Sequence, residues 1–247
     1  MYDPNSSLPY AMTPYEEGVS VTAQAESESY SETPIMAVGM PIAFEGGKFR
    51  GRIIQSELRE LQHATVGRKF ALRDRRPIDP PPVVLLKFFE AYGKSLREIQ
   101  DYGPESLQNT GIFCTAELDD VPVMGHLPCA QEPGQLVPGG VLVGSTTVES
   151  TLVHFEGRNS LMFAFNDLAV RGEGYFRLKY RMFDVHSMVA GMVDHPIQAE
   201  TFGGIFRVFS TREFPGLPPI TRLSEALSRA GVPISNRDRG KKRSPVA

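Results

Sequence analysis

Five cations fall within nine positions of this chain: Arg68, Lys69, Arg73, Arg75 and Arg76, with Asp74 the one acid among them. A guanidinium is a planar fork of N–H donors that keeps its charge at any physiological pH. It meets a phosphate, or the O6/N7 edge of guanine, with two parallel hydrogen bonds. The chemistry on offer is therefore recognition of a polyanion. Pro77 follows at once, and Pro80, Pro81 and Pro82 precede the apolar run 83–89. Proline lacks an N–H and fixes φ, and it drives the residue before it to extended backbone, so this segment is not helical. The expectation is a stiff, extended loop that enters a core strand and holds its cations at low ordering cost. A plainer description also fits: solvated loop cations paired with Asp74, Asp79 and Glu57. Residue types alone leave both open.

Other chemistry finds little support. The five histidines (63, 126, 154, 186 and 195) include no H-E-x-x-H and none at metal spacing with a cysteine. "GGVLVG" (139–144) and "RGEG" (171–174) are neither a dinucleotide fingerprint nor a phosphate loop, and no G-x-S-x-G elbow occurs. Asp119 and Asp120 are neighbours and project from opposite strand faces, a poor dyad. No metal, cofactor, small-molecule substrate or enzymatic activity is expected.

The elements that must position the loop read as strands. In "YFRLKYRMFDV", Phe176, Leu178, Tyr180 and Met182 alternate with Arg177, Lys179 and Arg181, the pattern of a half-buried antiparallel strand with a cationic outer face. Taken alone that second basic stripe reads as a solvated face; beside the loop it adds to the nucleic-acid reading, and whether Arg177, Lys179 and Arg181 touch DNA stays open. "FRGRIIQ" (49–55), "GIFCTAELDD" (111–120), "VLVGSTTVESTLVHF" (141–155), "SLMFAF" (160–165) and "GIFRVFS" (204–210) also alternate, and "VVLLKFFE" (83–90) is apolar on both faces, as in the middle of a sandwich. Turn signals between them ("FEGGKF", "HFEGRNS", "VRGEGY", "REFPGLPP") point to an all-β sandwich or barrel. One stretch is helical by pattern. In "TRLSEALSRAGV", Thr221 is placed as N-cap, Leu223, Leu227 and Ala230 share a face, and Gly231 stops the helix. "GKSLREIQDYG" (93–103) fits a short helical insertion.

Charge is unevenly distributed. The chain has 247 residues and a formal charge of −3, yet residues 1–47 hold seven acids and no Lys or Arg, which leaves the remainder at +4. Residues 1–44, with "AESESYSETP", read as a disordered acidic arm, although 34–44 is apolar enough to pack as a short strand. Residues 45–236 read as the domain, and 237–247 as a basic flexible tail. Within that tail, Lys241, Lys242 and Arg243 match a nuclear localisation signal, a pattern that short basic runs also produce by chance. Two cysteines, Cys114 and Cys129, make neither a metal pattern nor a disulfide framework. No signal peptide is read at the N-terminus and no run is long enough to span a bilayer, so the expectation is a soluble intracellular protein without membrane partners.

At "RDRRPIDPPPVVLLKF" the sequence resembles the velvet family of fungal regulators, in which a basic segment precedes an R-[RK]-P-[IV]-D-P-P-P run entering a strand. "TGIFCTAELDD", "FNDLAVRGEGYFRLKY" and "FRVFSTREFPGLPPITRLSEALSRAGVPI" resemble that family's later blocks in order, so the likeness covers about residues 45–236. The resemblance implies an immunoglobulin-like antiparallel β-sandwich related to the Rel/NF-κB DNA-binding domain, with one C-terminal helix and short helical insertions. It further implies sequence-specific binding of double-stranded DNA, homo- or heterodimers with other velvet proteins, and transcription regulation of development, sporulation and secondary metabolism. Action would be in the nucleus, with shuttling to the cytoplasm open. The family's DNA-contacting cations fall on Arg73, Arg75 and Arg76, and on Arg68 and Lys69. The chain departs from the family after Gln55, where "SELRELQHATVGRKFAL" is rich in helix formers and makes the alignment of Arg68 and Lys69 open. The family's variable insertion is also short here. The alternative is an interaction module whose dimer partner makes the DNA contacts.

Overall fold

The computed structural model describes residues 38–70, 75–100, 111–120 and 141–234. The first half of the chain forms β1 (Ile42–Ala43), a 3-10 turn (Gly47–Phe49), β2 (Ile53–Gln62), β3 (Val66–Arg68), β4 (Val83–Tyr92), β5 (Ser95–Glu98) and β6 (Ile112–Asp120). The second half forms β7 (Leu142–Val143), β8 (Thr147–Glu149), β9 (Thr151–Phe155), β10 (Arg158–Ala164), β11 (Ala169–Val170), β12 (Gly174–Asp184), β13 (Ala199–Phe202), β14 (Phe206–Phe209) and the helix α1 (Arg222–Arg229). One sheet runs β1-β2-β4-β10-β9 with β5 beside β4. The other runs β3-β14-β12-β6-β8 with β13 beside β12, and β7 and β11 form a small separate ladder.

Period-two patterning explains how the sheets face each other. On β12, Phe176, Leu178, Tyr180 and Met182 are buried and the cations between them are not. They enter one core with Ile54 and Leu58 of β2, Val84, Leu86 and Phe88 of β4, and Phe163 of β10. The architecture is thus an all-β, immunoglobulin-like sandwich, as the sequence led us to expect. Among the described residues, pairing is antiparallel except between β3 and β14, which run parallel.

The two-faced strand 83–90 has a different cause from the one its pattern suggested. Val84, Leu86 and Phe88 point into the sandwich, whereas Val83 and Leu85 face out and are covered by α1 through Leu223, Ala226 and Leu227. The helix begins at the expected cap: Thr221 Oγ1 accepts from Ser224 N at 3.0 Å. Thr221 also donates to Gln62 at the end of β2, which fixes the helix to the sheet. Ala226, not Ala230, completes the buried face, since Ala230 is the exposed C-cap.

Other expectations shift in detail. The described part of 93–103 is no helix: β5 pairs back on β4 across the turn at Gly93. Phe49 belongs to the 3-10 turn, and the strand that follows extends through Gln62, taking in the segment rich in helix formers. Residues 141–155 break into three strands. The packed chain also starts ahead of residue 45, because β1 pairs with β2 and Phe44 is buried.

Glu60 ties the two sheets. From β2 it accepts hydrogen bonds from Tyr180 OH of β12 at 2.7 Å and from Gly204 N at 2.6 Å. A Cβ on Gly203 would lie 2.4 Å from Glu60 Oε1, so a side chain there would push the carboxylate from this position. Partial burial raises the Glu60 carboxyl above the usual carboxylate range, and the two hydrogen bonds oppose the shift.

Candidate nucleic-acid interface

The basic loop leaves the sandwich at β3 and returns at residue 79, and both feet are fixed. Thr65 N and Val66 N donate to Asp79 O at 2.8 and 3.0 Å, and Asp79 N donates to Val66 O at 2.8 Å. On the outgoing side Lys69 N donates to Phe209 O at 2.9 Å, and on the returning side Ile78 N donates to Leu168 O at 2.8 Å. Gly67 faces inward, where a Cβ would meet Val208 at 3.0 Å and Ile78 at 3.1 Å, so the foot is packed as closely as the backbone permits. Ile78 and Pro80, Pro81 and Pro82 are buried, and Pro82 O accepts from Phe165 N at 2.9 Å. The prolines deliver the chain from the loop into β4, as their chemistry requires.

Each expected cation has a distinct setting. Arg68 is the last residue of β3, half-buried, opposite Phe209 of β14. Lys69 is exposed and paired with Glu173. Arg75 is exposed, and its Nη2 lies 3.0 Å from Asp167 Oδ2, with 46% of the arginine side chain and 32% of the aspartate's accessible. Arg76 is exposed. Arg73 lies outside the described residues, as do Lys241, Lys242 and Arg243. The structure therefore brings Arg68, Lys69, Arg75 and Arg76 to one end of the sandwich.

Two carboxylates that meet these cations were not anticipated, Glu173 beside Lys69 and Asp167 beside Arg75. Of the anticipated ones, Asp79 is buried at the returning foot, where its backbone closes the loop. Glu57 sits on β2 opposite Lys87, and Asp74 lies outside the described residues. Asp167 is itself held in place. Its Oδ1 accepts from Ser145 N at 2.7 Å, and Gly144, at φ +115°, passes so close that a Cβ would lie 2.4 Å from Asp167 O. Asp167 is 92 residues from Arg75 in the chain, and no local pattern announced it. Exposed ion pairs of this kind contribute about 0–1 kcal/mol, little enough for a phosphate to displace the carboxylate.

The second basic stripe is neutralised within its own sheet. Arg177 Nε donates to Asp119 at 2.6 Å and stacks 4.2 Å above the Phe202 ring. Lys179 pairs with Glu200 at 3.0 Å, and Arg181 reaches Glu200 at 2.8 Å and Glu117 at 2.7 Å. The hydrogen bond from Arg181 holds the Glu200 carboxyl below its ordinary range. Cross-strand carboxylates make this a self-satisfied face, the solvated reading of the stripe.

Elsewhere, His63, His154, His186 and His195 are exposed, while His126 and Cys129 lie outside the described residues. Among the described residues, no three His, Cys, Asp or Glu side chains gather as a metal's ligands would. Cys114 is buried, and burial pushes its thiol far up, away from the reactive thiolate.

With this geometry in hand, comparison with known proteins is informative. The family described as velvet factor matches residues 56–127 and 122–241, a span that includes the loop and α1. A probable velvet family sexual development regulator of Schizophyllum commune is 43% identical over 225 residues, covering 83% of this chain and 80% of its own. A probable velvet family sexual development regulator of Laccaria bicolor is 34% identical, covering 83% and 76%. A spore development regulator of Beauveria bassiana is 31% identical, covering 77% and 72%.

Proposed function

This chain belongs to the velvet factor family, and we propose that it is a transcription regulator of fungal development that binds duplex DNA through the 68–76 loop. Its relatives are named as regulators of sexual and spore development, and others as regulators of development and secondary metabolism. One observation carries the reading: a loop with both feet hydrogen-bonded into the sandwich presents Lys69, Arg75 and Arg76 to solvent. Feet fixed in this way hold these three cations near the sandwich, which lowers the ordering cost of meeting a polyanion. Phosphate contacts supply most of the affinity, and one or two arginines read bases. The protein acts as a homo- or heterodimer with other velvet chains, in the nucleus, to which Lys241, Lys242 and Arg243 direct it.

Salt titration of duplex binding by the full chain tests this. With all five cations on phosphates the slope of log K against log[salt] would be near −4.5, at about −0.9 per contact, and each arginine that reads a base instead makes it less negative by about 0.9. The triple variant R73A/R75A/R76A should keep its thermal transition and lose most of that slope. Wild-type affinity in that folded variant would remove the loop from the interface. A second reading, in which the partner chain makes the DNA contacts, draws on the carboxylates already held by Lys69 and Arg75. It requires that mobility shifts appear only when a second velvet protein is added.

A further inference from the structure

Three arginines among the described residues stack on aromatic rings. Arg52 lies 5.8 Å from the Phe49 centroid and grips Glu90 with two hydrogen bonds, at 2.8 and 2.6 Å. Arg177 lies over Phe202 and donates to Asp119. Arg207 differs. Its guanidinium carbon sits 4.4 Å from the Phe209 centroid and 5.6 Å from that of Tyr175, yet its ion-pair partner Glu213 is 3.7 Å away, beyond hydrogen-bond distance. The arginine side chain is 45% accessible and that of Glu213 is 64% accessible. Stacking fixes the plane of a guanidinium and leaves its edge of N–H donors for another acceptor.

Its position matters as much as its state. Arg207 lies on β14 with Tyr175 of β12 on one side and Val66 of β3 on the other, and Phe209 lies opposite Arg68. Because β3 and β14 run parallel, both strands end where the basic loop begins, and Lys69 N is bonded to Phe209 O. Two residues along a strand are about 7 Å, and neighbouring strands are about 4.8 Å apart. Arg207 therefore stands within one major-groove width, about 12 Å, of the loop's outgoing foot. Arg212 is exposed in the turn that follows β14.

We propose that the DNA-binding surface extends from the loop onto the β3–β14 edge, where Arg207, held between Tyr175 and Phe209, takes a backbone phosphate. This rests on the DNA-binding reading above and adds a contact outside the basic segment. The ligand chemistry is a phosphodiester, and the stack supplies a preformed donor that reads charge and spacing rather than base identity.

The test uses the full chain with a pool of short random-sequence duplexes, titrated between about 50 and 200 mM salt. R207A should weaken binding about three- to tenfold and make the slope less negative by about 0.9. R207K should retain the slope while binding more weakly, because a lysine keeps the charge without the planar stack. R177A, on the self-paired face, should change neither quantity. If R207A alters the melt, R207Q keeps a stem over the rings and replaces it. Unchanged affinity and slope for a folded Arg207 variant, alongside weakened binding by R75A/R76A, would overturn the extension and leave the loop in place. Unchanged binding by both sets of variants, or no binding by the wild type, would reject the loop assignment and this one together.

Discussion

Arg75 lends itself to a direct experiment because its partner is known to the atom. Asp167 occupies one edge of the fork, so a phosphate that takes that edge must displace a carboxylate held from behind by Ser145 N. The D167N variant keeps an oxygen for Ser145 and removes the charge. We expect it to bind duplex DNA up to about fivefold more tightly, the equivalent of an exposed ion pair worth at most about 1 kcal/mol. In an R75A background the same change should have almost no effect, since the remaining long-range repulsion is screened by salt. Weaker binding by D167N would mean that the carboxylate positions Arg75 instead of competing for it. Glu60 allows a second test. Its folded-state carboxyl titrates above its unfolded value, so the stability it confers is fully present below about pH 4.5 and declines as pH rises through the raised value. Urea melts of E60Q and wild type across pH 4 to 8 should show the difference moving in favour of E60Q as pH rises. A difference independent of pH would mean that the carboxyl titrates alike in the folded and unfolded chain, its hydrogen bonds balancing its burial.

At the level of single elements, β12 shows what a sequence can reveal. Strict alternation over Phe176–Met182 implied which side chains are buried, and the structure agrees at every position. Alternation names a face but not its neighbours, so the carboxylates of β6 and β13 that neutralise Arg177, Lys179 and Arg181 were illegible. So was Asp167, because pairing at a separation of 92 residues leaves no local trace. Strands of two or three residues, such as β3 and β8, are too short to show a period, and the parallel β3–β14 pairing rests on one of them. Helix formers in "SELRELQ" were overridden because a strand there buries Ser56 and Leu58 toward the sandwich and, past the bulge between Glu60 and Gln62, turns Gln62 to the helix side. These facts set the stability predictions for β12. L178A removes a side chain from the shared core and should cost about 2–5 kcal/mol through cavity formation. R177A loses one exposed ion pair and a stack, and should cost about 1 kcal/mol or less. Chemical denaturation decides, and equal losses would show that the faces are assigned wrongly.

For the whole molecule the governing quantity is the separation of charge along the chain. Residues 1–37 contain six acids (Asp3, Glu16, Glu17, Glu26, Glu28 and Glu32) and no Lys or Arg. The part from Lys48 onward carries every Lys and Arg, so the whole chain's formal charge is opposite in sign to that of its cation-bearing part. Net charge acts on a polyanion at long range, over about 8 Å at 0.15 M salt and further as salt falls. Converting all six acids to their amides in the intact chain changes the formal charge from −3 to +3 without altering length. We expect that variant to bind random duplex DNA more tightly than the wild type at about 50 mM salt, with the advantage shrinking by about 200 mM, because salt screens the repulsion between the six carboxylates and the phosphates. Equal affinities at low salt would mean that the net charge of the chain does not govern its encounter with DNA and that the cations near the duplex act alone. An advantage that stayed constant from about 50 to 200 mM salt would mean that the substitutions act other than through long-range charge.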